Sequence, residues 1–420
     1  MTGSKHYIRK ILNDPVHGFI SIRHPLIFEL IEHPWFQRLR RINQLGLTHL
    51  VYPGALHNRL QHSIGAMHLM QIAISELSVK GHEISDEEAL GLTAAILLHD
   101  IGHGPYSHAL EFSLVKNVNH EKMSALFMES LDRQFDGKLR LAIEIFKGNS
   151  KKKFLTKLVS SQLDMDRLDY LRRDSFFTGV SEGIINYERL LNMLNVVDDD
   201  LVIEAKGIYS VEKFITARRL MYWQVYLHKT VLVAEFMLMK LLQRAKELVM
   251  RGEKLFASPA LSYFLAHDLK IPDLEGSDEM LQKFSELDDY DILSAMKVWV
   301  SHPDRILSAL SKGLVHRKLF RIELKNHPFP EDQIEEVRRK VATKYKLNQE
   351  ETGYCVIHES TSNHAYSTGP ERINILHKDG RTEDISRVSD DLNINLLSTP
   401  VTKYFLAFPK DLDSQPSDAV

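Results

Sequence analysis

The sequence has a single cysteine, no long uninterrupted apolar run, no internal repeat and little net charge. Cys355 alone can form neither an internal disulfide nor a cysteine-rich zinc cluster, which fits a reducing compartment. The first 18 residues contain no apolar signal core. The most apolar long stretch, 231–242, is too short to span a bilayer and carries Glu235 and Lys240. We therefore expect a cytoplasmic protein with no membrane partner.

The composition and net charge are those of an ordinary globular protein. The hydrophobic fraction is 44%, the charged fraction is 26%, and the net charge of −3 gives no overall bias toward nucleic acid. A length of 420 residues predicts two or three domains. The 21 histidines are a large number, and several of them cluster between positions 57 and 120.

Apolar periodicity predicts a mainly α protein, with a helical core and a small C-terminal α+β module. The predicted parts are an extended N-terminal arm, the helical core, a helical extension, the α+β module and a disordered tail, at residues 1–24, 25–250, 251–312, 313–410 and 411–420 respectively.

Local signals predict several individual elements. Ser85 and Glu88 form a capping-box pattern before an apolar run, and residues 211–248 are predicted as one long helix. In the C-terminal module we expect four strands, one helix and one hairpin turn. The strands are expected at 319–324, 354–357, 373–376 and 404–408, the helix at 330–345 and the turn at 378–380.

The run His99-Asp100-Ile101-Gly102-His103 is the most informative part of the chain. Adjacent His and Asp at the end of an apolar helix offer a metal one imidazole nitrogen and one carboxylate oxygen, a donor set that suits Mn, Fe, Co, Ni or Zn. The following Gly-His-Gly-Pro segment, 102–105, cannot continue a regular helix, so the chain turns just after these residues. The alternative is a capped core helix that carries polar residues.

Three further segments could supply partners. Arg59 and His62 share a helix face, so that a guanidinium could grip phosphate beside a metal ligand. Asp166, Tyr170 and Asp174 lie at four-residue spacing on another predicted helix, which could equally be an amphipathic surface helix. The third segment, 119–121, is a polar helix start that could be only an N-terminal cap.

The ordered residues His62, His99-Asp100 and Asp166 resemble the HD-domain phosphohydrolase superfamily. Five longer stretches narrow the resemblance to its dNTP triphosphohydrolase branch, which includes bacterial relatives of the sterile-alpha-motif and HD-domain protein of animals. The stretches are NDPVHGFI, FQRLRRINQLG, YPGALHNRLQHSIG, LLHDIGHGPYSHALE and DMDRLDYLRRD. The resemblance covers about residues 8–245 and implies a helical fold with one metal ion held by His62, His99, Asp100 and Asp166.

The resemblance also implies hydrolysis of a dNTP to deoxynucleoside and tripolyphosphate, with water attacking the α-phosphorus and Mg on the substrate triphosphate. Tyr226 would fill the space at the sugar C2′, and Tyr170 and Asp174 would lie by the 3′-hydroxyl. The implied catalytic residues are His103, His108, Glu111 and His120, and the implied substrate-binding residues are Arg59, Arg167, Tyr170, Asp174, Arg218 and Tyr226.

Two features qualify this assignment. Glu111 follows His108 by three residues where the animal pattern has a shorter carboxylate, so the geometry of that pair differs. Arg218, Tyr222 and Tyr226 share one helical face, which could line the pocket or could be core packing.

The resemblance further implies a homo-oligomer, a dimer or a tetramer, with an activating dNTP or GTP at an inter-subunit site. The implied regulatory residues are Lys10, Glu32, Gln37 and Arg40. Two other functions remain open: an HD-domain phosphohydrolase for another nucleotide or phosphate ester, and a nucleotide sensor or nucleic-acid-binding protein. The last rests only on basic clusters such as Arg38, Arg40 and Arg41.

Overall fold

The computed structural model describes residues 10–106, 119–268, 278–363, 366–367, 369, 371–389 and 400–413. The chain is mainly helical with a few small sheets, as predicted. The described helices are α1 Pro25–Glu32, α2 Pro34–Gln37, α3 Arg59–Val79, α4 Asp86–Leu98, α5 His120–Gln134, α6 Arg140–Phe146, α7 Lys153–Val159, α8 Met165–Thr178, α9 Tyr187–Asn192, α10 Ile208–Met221, α11 Lys229–Met250, α12 Pro259–Ala266, α13 Asp278–Ser285, α14 Asp289–Trp299, α15 Arg305–Val315, α16 Glu331–Tyr345, α17 Gln349–Cys355 and α18 Ile385–Val388.

The strands form three small sheets. They are β1 Lys10–Asp14, β2 Gly18–Ile22, β3 Leu194–Val197, β4 Asp200–Glu204, β5 Arg321–Lys325, β6 Ile357–Asn363, β7 Asn374–Leu376, β8 Thr382–Asp384 and β9 Val401–Phe408. Strands β1 and β2 pair alone, and the strand orders of the other two sheets are β3-β4-β7-β8 and β5-β9-β6.

Helix α3 packs against both α4 and α8. Their starts are set by side-chain caps: Asn58 forms a capping box with Gln61 before α3, and Asp164 accepts a backbone N–H at the start of α8. The predicted capping box of Ser85 and Glu88 at α4 is confirmed. Each cap satisfies N–H groups that a helix start leaves without partners, so the three starts are well defined.

A glycine allows a close contact beside the turn that follows α4. A Cβ on Gly102 would lie 2.2 Å from the backbone nitrogen of Ser124 and 2.5 Å from the carbonyl oxygen of His120. The start of α5 therefore lies directly against the His99–His103 motif. The predicted turn after His99-Asp100 is confirmed, since α4 ends at Leu98 and no regular helix follows up to Tyr106.

The described part of the N-terminal arm is a hairpin. Strands β1 and β2 pair antiparallel, with Asp14 opposite Gly18. Asp14 Oδ1 accepts the backbone N–H groups of Val16 and His17, at 3.0 and 2.9 Å, which closes the turn. Such an aspartate turn reverses the chain, so that β2 runs back alongside β1.

The prediction of one long helix at 211–248 is wrong. Helix α10 ends at Met221, a π-helical turn spans Tyr222–Tyr226, and α11 begins at Lys229. The side chain of His228 caps α11 by accepting the N–H of Thr230, which starts a new helix. Apolar residues on both sides continue the helical period, so the sequence pattern does not mark the interruption.

The predicted C-terminal strands join two sheets. Strand β7 pairs parallel with β4 of the helical region, and β5 and β6 flank β9. The strand pair β3–β4 itself lies within a segment that was predicted as helical. The turn predicted at 378–380 joins β7 to β8, as expected. The strand predicted at 354–357 is wrong, because α17 continues to Cys355 and β6 begins at Ile357. The domain boundaries stay a prediction.

Among the residues that the structure describes, no helix is long and apolar enough to cross a membrane.

Candidate metal centre

Three metal-ligand atoms converge where α3, α4 and α8 meet. His62 lies in the first turns of α3, His99 directly follows α4, and Asp166 lies in the first turn of α8. His62 Nε2 is 3.2 Å from His99 Nε2 and 3.0 Å from Asp166 Oδ1, and His99 Nε2 is 3.5 Å from the same oxygen. Ligand atoms about 2.1 Å from one ion and at right angles lie about 3 Å apart. These three side chains could hold one metal ion.

The second nitrogen of each imidazole is hydrogen-bonded, and this sets the direction of Nε2. His62 Nδ1 lies 2.8 Å from Asp169 Oδ2, and His99 Nδ1 lies 2.6 Å from the carbonyl oxygen of Ile96. Because each acceptor calls for an N–H on Nδ1, the lone pair of each Nε2 points at the shared centre. Asp169 is not among the residues predicted from the sequence, although it lies one turn after Asp166 on α8.

The surrounding charges favour a cation at this centre. Burial lowers the pKa of His62, but hydrogen bonds to Asp166 and Asp169 outweigh burial and raise this pKa to about 10. Burial raises the pKa of Asp166, but its hydrogen bonds to His62 and His99 hold this pKa below its ordinary value. A divalent ion would take the place of the proton that these side chains otherwise share.

Asp100 lies at the edge of the cluster. Its Oδ1 is 3.4 Å from His99 Nε2 and 3.2 Å from His103 Nε2, and its Oδ2 is 3.8 Å from His62 Nε2. The same Oδ2 accepts a hydrogen bond from Arg59 Nη1. The carboxylate is therefore near the centre but also bonded to Arg59 and His103, and its role as a fourth ligand stays a prediction.

Two of the predicted catalytic histidines stack beside Asp100. The rings of His103 and His120 have centroids 4.0 Å apart and planes 13° apart. Burial, with the positive charge of Arg59, holds the pKa of His103 well below its ordinary value, so its imidazole is neutral. The predicted pair His108 and Glu111 lies outside the described residues.

The other end of α8 carries a second constellation. Asp174 Oδ1 is 2.7 Å from His57 Nε2, and Asp174 Oδ2 accepts the hydroxyl of Tyr226 at 2.8 Å. The ring of Tyr170 lies between the two ends, 6.5 Å from the ring of His62 and 6.1 Å from that of Tyr226. Asp166, Tyr170 and Asp174 thus follow one another along one helix, α8, at the four-residue spacing that the sequence predicted. His57 was given no role from the sequence.

Two arginines border these tyrosines in different ways. Arg167 Nε donates to Ser161 O at 2.6 Å and to Asp164 Oδ2 at 3.3 Å. Arg218 is 8% exposed, and its Nε has no acceptor among the described residues. Its guanidinium lies 5.9 Å from the ring of Tyr222, which in turn contacts Tyr226 at 5.1 Å. A buried guanidinium without an anionic partner is unusual and would be satisfied by an anionic ligand.

The four predicted regulatory residues lie on β1, α1, α2 and the 3₁₀ turn Arg38–Arg41 that follows α2. Arg40 Nε donates to Gln37 Oε1 at 2.6 Å, and Lys10 Nζ lies 4.4 Å from the centre of the Phe28 ring. Glu32, at the end of α1, is exposed. Regulation through these residues stays a prediction.

The basic clusters are largely occupied by contacts within the protein. Arg38 is fully buried and donates to the carbonyl oxygens of Leu287 and Ile101, at 3.1 and 2.8 Å. Arg41 forms an ion pair with Asp288. These residues therefore give little support to a nucleic-acid-binding surface.

A helical core that presents two imidazoles and a carboxylate to one point, beside buried guanidinium groups, defines a metal-binding phosphohydrolase of the HD type. The sequence matches the HD domain over residues 59–174 and the HD associated region over residues 185–258. A crystal structure of a phosphohydrolase from Bacteroides thetaiotaomicron is 51% identical, with a TM-score of 0.92, and the match covers 96% of this chain and 100% of that one.

Comparison with other protein sequences indicates the same family. The uncharacterized protein YwfO of Bacillus subtilis is 33% identical over 417 residues, which cover 96% of this chain and 93% of that protein. The human deoxynucleoside triphosphate triphosphohydrolase SAMHD1 is 32% identical over 264 residues, which are 52% of this chain and 42% of SAMHD1. The chain belongs to the HD-domain family of dNTPase-like phosphohydrolases.

Proposed function

We propose that the protein is a metal-dependent dNTP triphosphohydrolase, which releases a deoxynucleoside and tripolyphosphate. The observation that carries this proposal is that one helix, α8, joins the metal cluster to the Asp174–Tyr226 pair. Asp166 and Asp174 are eight residues apart on this helix, or about 12 Å along its axis. That spacing suits a substrate whose phosphates lie at the metal end and whose sugar lies at the other end.

The metal cluster and its neighbours support hydrolysis at a phosphate. A divalent ion of the Mn, Fe, Co, Ni or Zn class, when bound, would polarise a phosphate oxygen and lower the pKa of a water molecule. Water adds to the α-phosphorus, the bond from phosphorus to the 5′-oxygen breaks, and the 5′-oxygen leaves with a proton. Arg59, Arg167 and Arg218 are the guanidinium groups that would hold the triphosphate, whose charge Mg would partly neutralise.

The histidines have distinct parts in this proposal. Neutral His103 has a single N–H, which would donate to Asp100 and so position that carboxylate, since the pKa of His103 is held low. His120, whose ring stacks on that of His103, would supply a proton to the 5′-oxygen. His108 and Glu111 keep the catalytic roles that the resemblance implies.

The Asp174–Tyr226 pair supports selection for a deoxyribose. Tyr226 is fixed by its hydrogen bond to Asp174, and Asp174 is fixed by His57. A tyrosine ring held in this way cannot easily move aside for a 2′-hydroxyl group. Asp174 and Tyr170 would bind the 3′-hydroxyl.

We also propose a homo-oligomer, a dimer or tetramer, in which a dNTP or GTP binds near Lys10, Glu32, Gln37 and Arg40. The support is that Lys10, Glu32 and Arg40 are exposed and that Lys10 lies against Phe28 of α1.

The reaction is tested by chromatography of the products from a panel of dNTPs, NTPs and dNMPs. We expect tripolyphosphate and a deoxynucleoside from dNTPs in equal amounts, and no reaction after metal removal. Orthophosphate or pyrophosphate as the first product would instead favour a phosphohydrolase for another nucleotide or phosphate ester.

A further inference from the structure

The tip of the N-terminal hairpin is connected to the metal centre through one carboxylate. His17 Nε2 lies 2.7 Å from Asp169 Oδ1, and His62 Nδ1 lies 2.8 Å from Asp169 Oδ2. The side chains of His17 and Asp169 are 0% exposed and that of His62 is 1% exposed. Asp169 therefore has one oxygen on the hairpin and the other on a candidate metal ligand.

A guanidinium holds this carboxylate and the hairpin together. Arg173 Nε and Nη2 donate to Asp169 at 2.9 and 3.0 Å, and Nη1 and Nη2 donate to Asp14 at 2.8 and 3.2 Å. Asp14 also forms the hairpin turn that presents His17. The hairpin is thus attached to α8 through both Asp14 and His17. The direction of the Asp169 carboxylate therefore depends on the position of the hairpin.

A glycine on α3 makes room for this connection. A Cβ on Gly65 would lie 2.1 Å from Asp169 Oδ1 and 2.2 Å from Arg173 Nη2. A side chain at this position, one turn after His62, would have to displace the carboxylate and the guanidinium. Helix α3 therefore packs closely on α8 at the point where Asp169 and Arg173 form their buried contacts.

The hydrogen-bond roles are consistent with a positioning function. His17 Nδ1 is buried and has no acceptor among the described residues, so the ring hydrogen that finds an acceptor is the one on Nε2, toward Asp169. Asp169 Oδ1 then accepts from His17 and from Arg173 Nη2, and Oδ2 accepts from Arg173 Nε and from the N–H of His62. The lone pair of His62 Nε2 is then directed at the candidate metal position.

We propose that His17 is a positioning residue of the metal centre, which acts through Asp169 on His62, and that the N-terminal hairpin thereby sets metal affinity. The proposal rests on the metal site of the proposed function and not on its substrate. It connects the hairpin, which also carries Lys10, to the candidate metal centre through Asp169 and His62.

The experiment measures the dissociation constant of Mn²⁺ for the nucleotide-free full chain, by competition with a fluorescent chelator. Asp166→Ala defines the background from other sites. We expect His17→Phe, which keeps a ring but removes the donor, to weaken binding about tenfold, the lower end of the range for lost outer partners of a metal ligand. His17→Gln, whose amide can donate to Asp169, should restore affinity to within about threefold.

His68→Phe is the matched control. Its ring lies 5.6 Å from that of His17, so this change tests repacking at the same place without removing a hydrogen bond to Asp169. It should leave the dissociation constant unchanged. Loss of affinity in His68→Phe equal to that in His17→Phe, or tight binding in His17→Phe, would overturn the proposal.

A double-mutant cycle with Asp169→Asn tests the route. If His17 acts through Asp169, adding His17→Phe to Asp169→Asn should change the dissociation constant by less than about twofold. Additive losses would refute the route. If Asp169→Asn does not fold, the comparison of His17→Phe, His17→Gln and His68→Phe decides alone. A wild type that binds no Mn²⁺ overturns both proposals, whereas binding without dNTP hydrolysis leaves this one standing.

Discussion

Arg218 provides a prediction in which stability and ligand binding change in opposite directions. Its guanidinium is 8% exposed and has no carboxylate partner in the described part of the chain. Burying an unpaired charge costs several kcal/mol. The last turn of α10 and the ring of Tyr222 offset part of this cost, by about 1–2 kcal/mol together. The free protein is therefore destabilised by Arg218.

We expect Arg218→Met, which keeps much of the volume without the charge, to stabilise the nucleotide-free protein by roughly 1–3 kcal/mol. The unfolding temperature, measured by calorimetry without metal or nucleotide, should rise by a few degrees. The same change removes a charge-assisted hydrogen bond to phosphate, worth about 1.5–3 kcal/mol. The dissociation constant of a non-hydrolysable dNTP, measured by titration calorimetry, should rise about tenfold to a hundredfold.

Arg219→Met is the matched control, because the neighbouring arginine undergoes the same chemical change at a more exposed position. It should alter both quantities little. If Arg218→Met lowers the unfolding temperature and leaves dNTP binding intact, Arg218 is a structural residue of the core, and the reasoning from its burial is refuted.

The remaining predictions concern metal, sugar and assembly. Asp166→Ala should lose bound metal and hydrolysis, by elemental analysis and product assay, while helical circular dichroism is retained; full metal content would contradict the ligand assignment. Tyr226→Ala should raise the rate of hydrolysis of NTPs relative to dNTPs, since it removes the ring beside the sugar. Equal wild-type rates for NTPs and dNTPs would refute selection of the sugar by Tyr226. Light scattering should give a dimer or tetramer, and dNTP hydrolysis should increase with added GTP. A monomer whose activity does not depend on added nucleotide would refute both the oligomer and its regulation. An oligomer that forms without nucleotide would support the assembly and refute the regulation.

Much of the site follows from local sequence patterns. The pair His99-Asp100 ends a helix because the Gly-rich segment after it cannot continue one, and Asp166, Tyr170 and Asp174 share a face because of helical spacing. Patterns of this kind depend on residues near each other in the chain. They predicted the helical class, the capping box at Ser85 and several strands of the C-terminal region.

The parts that were not predicted depend on contacts between distant segments. Asp169 contacts His62 across 107 residues and His17 across 152 residues. The break at Tyr222–Tyr226 does not disturb the apolar period that predicted one helix. Strand β7 pairs with β4, which lies far away in the chain. Periodicity reports which side of an element is buried, but not which partner covers it.

Two buried His–Asp pairs define how α3 and α8 lie against each other. His62 pairs with Asp169, and His57, two residues before α3, pairs with Asp174. Both intervals are five residues and they run in opposite directions, which is the arrangement of two antiparallel segments. A shift of one helical turn, about 5.4 Å, would break both pairs at once. The distance between the metal cluster and the Asp174–Tyr226 pair is therefore fixed by the same contacts that hold the two segments together.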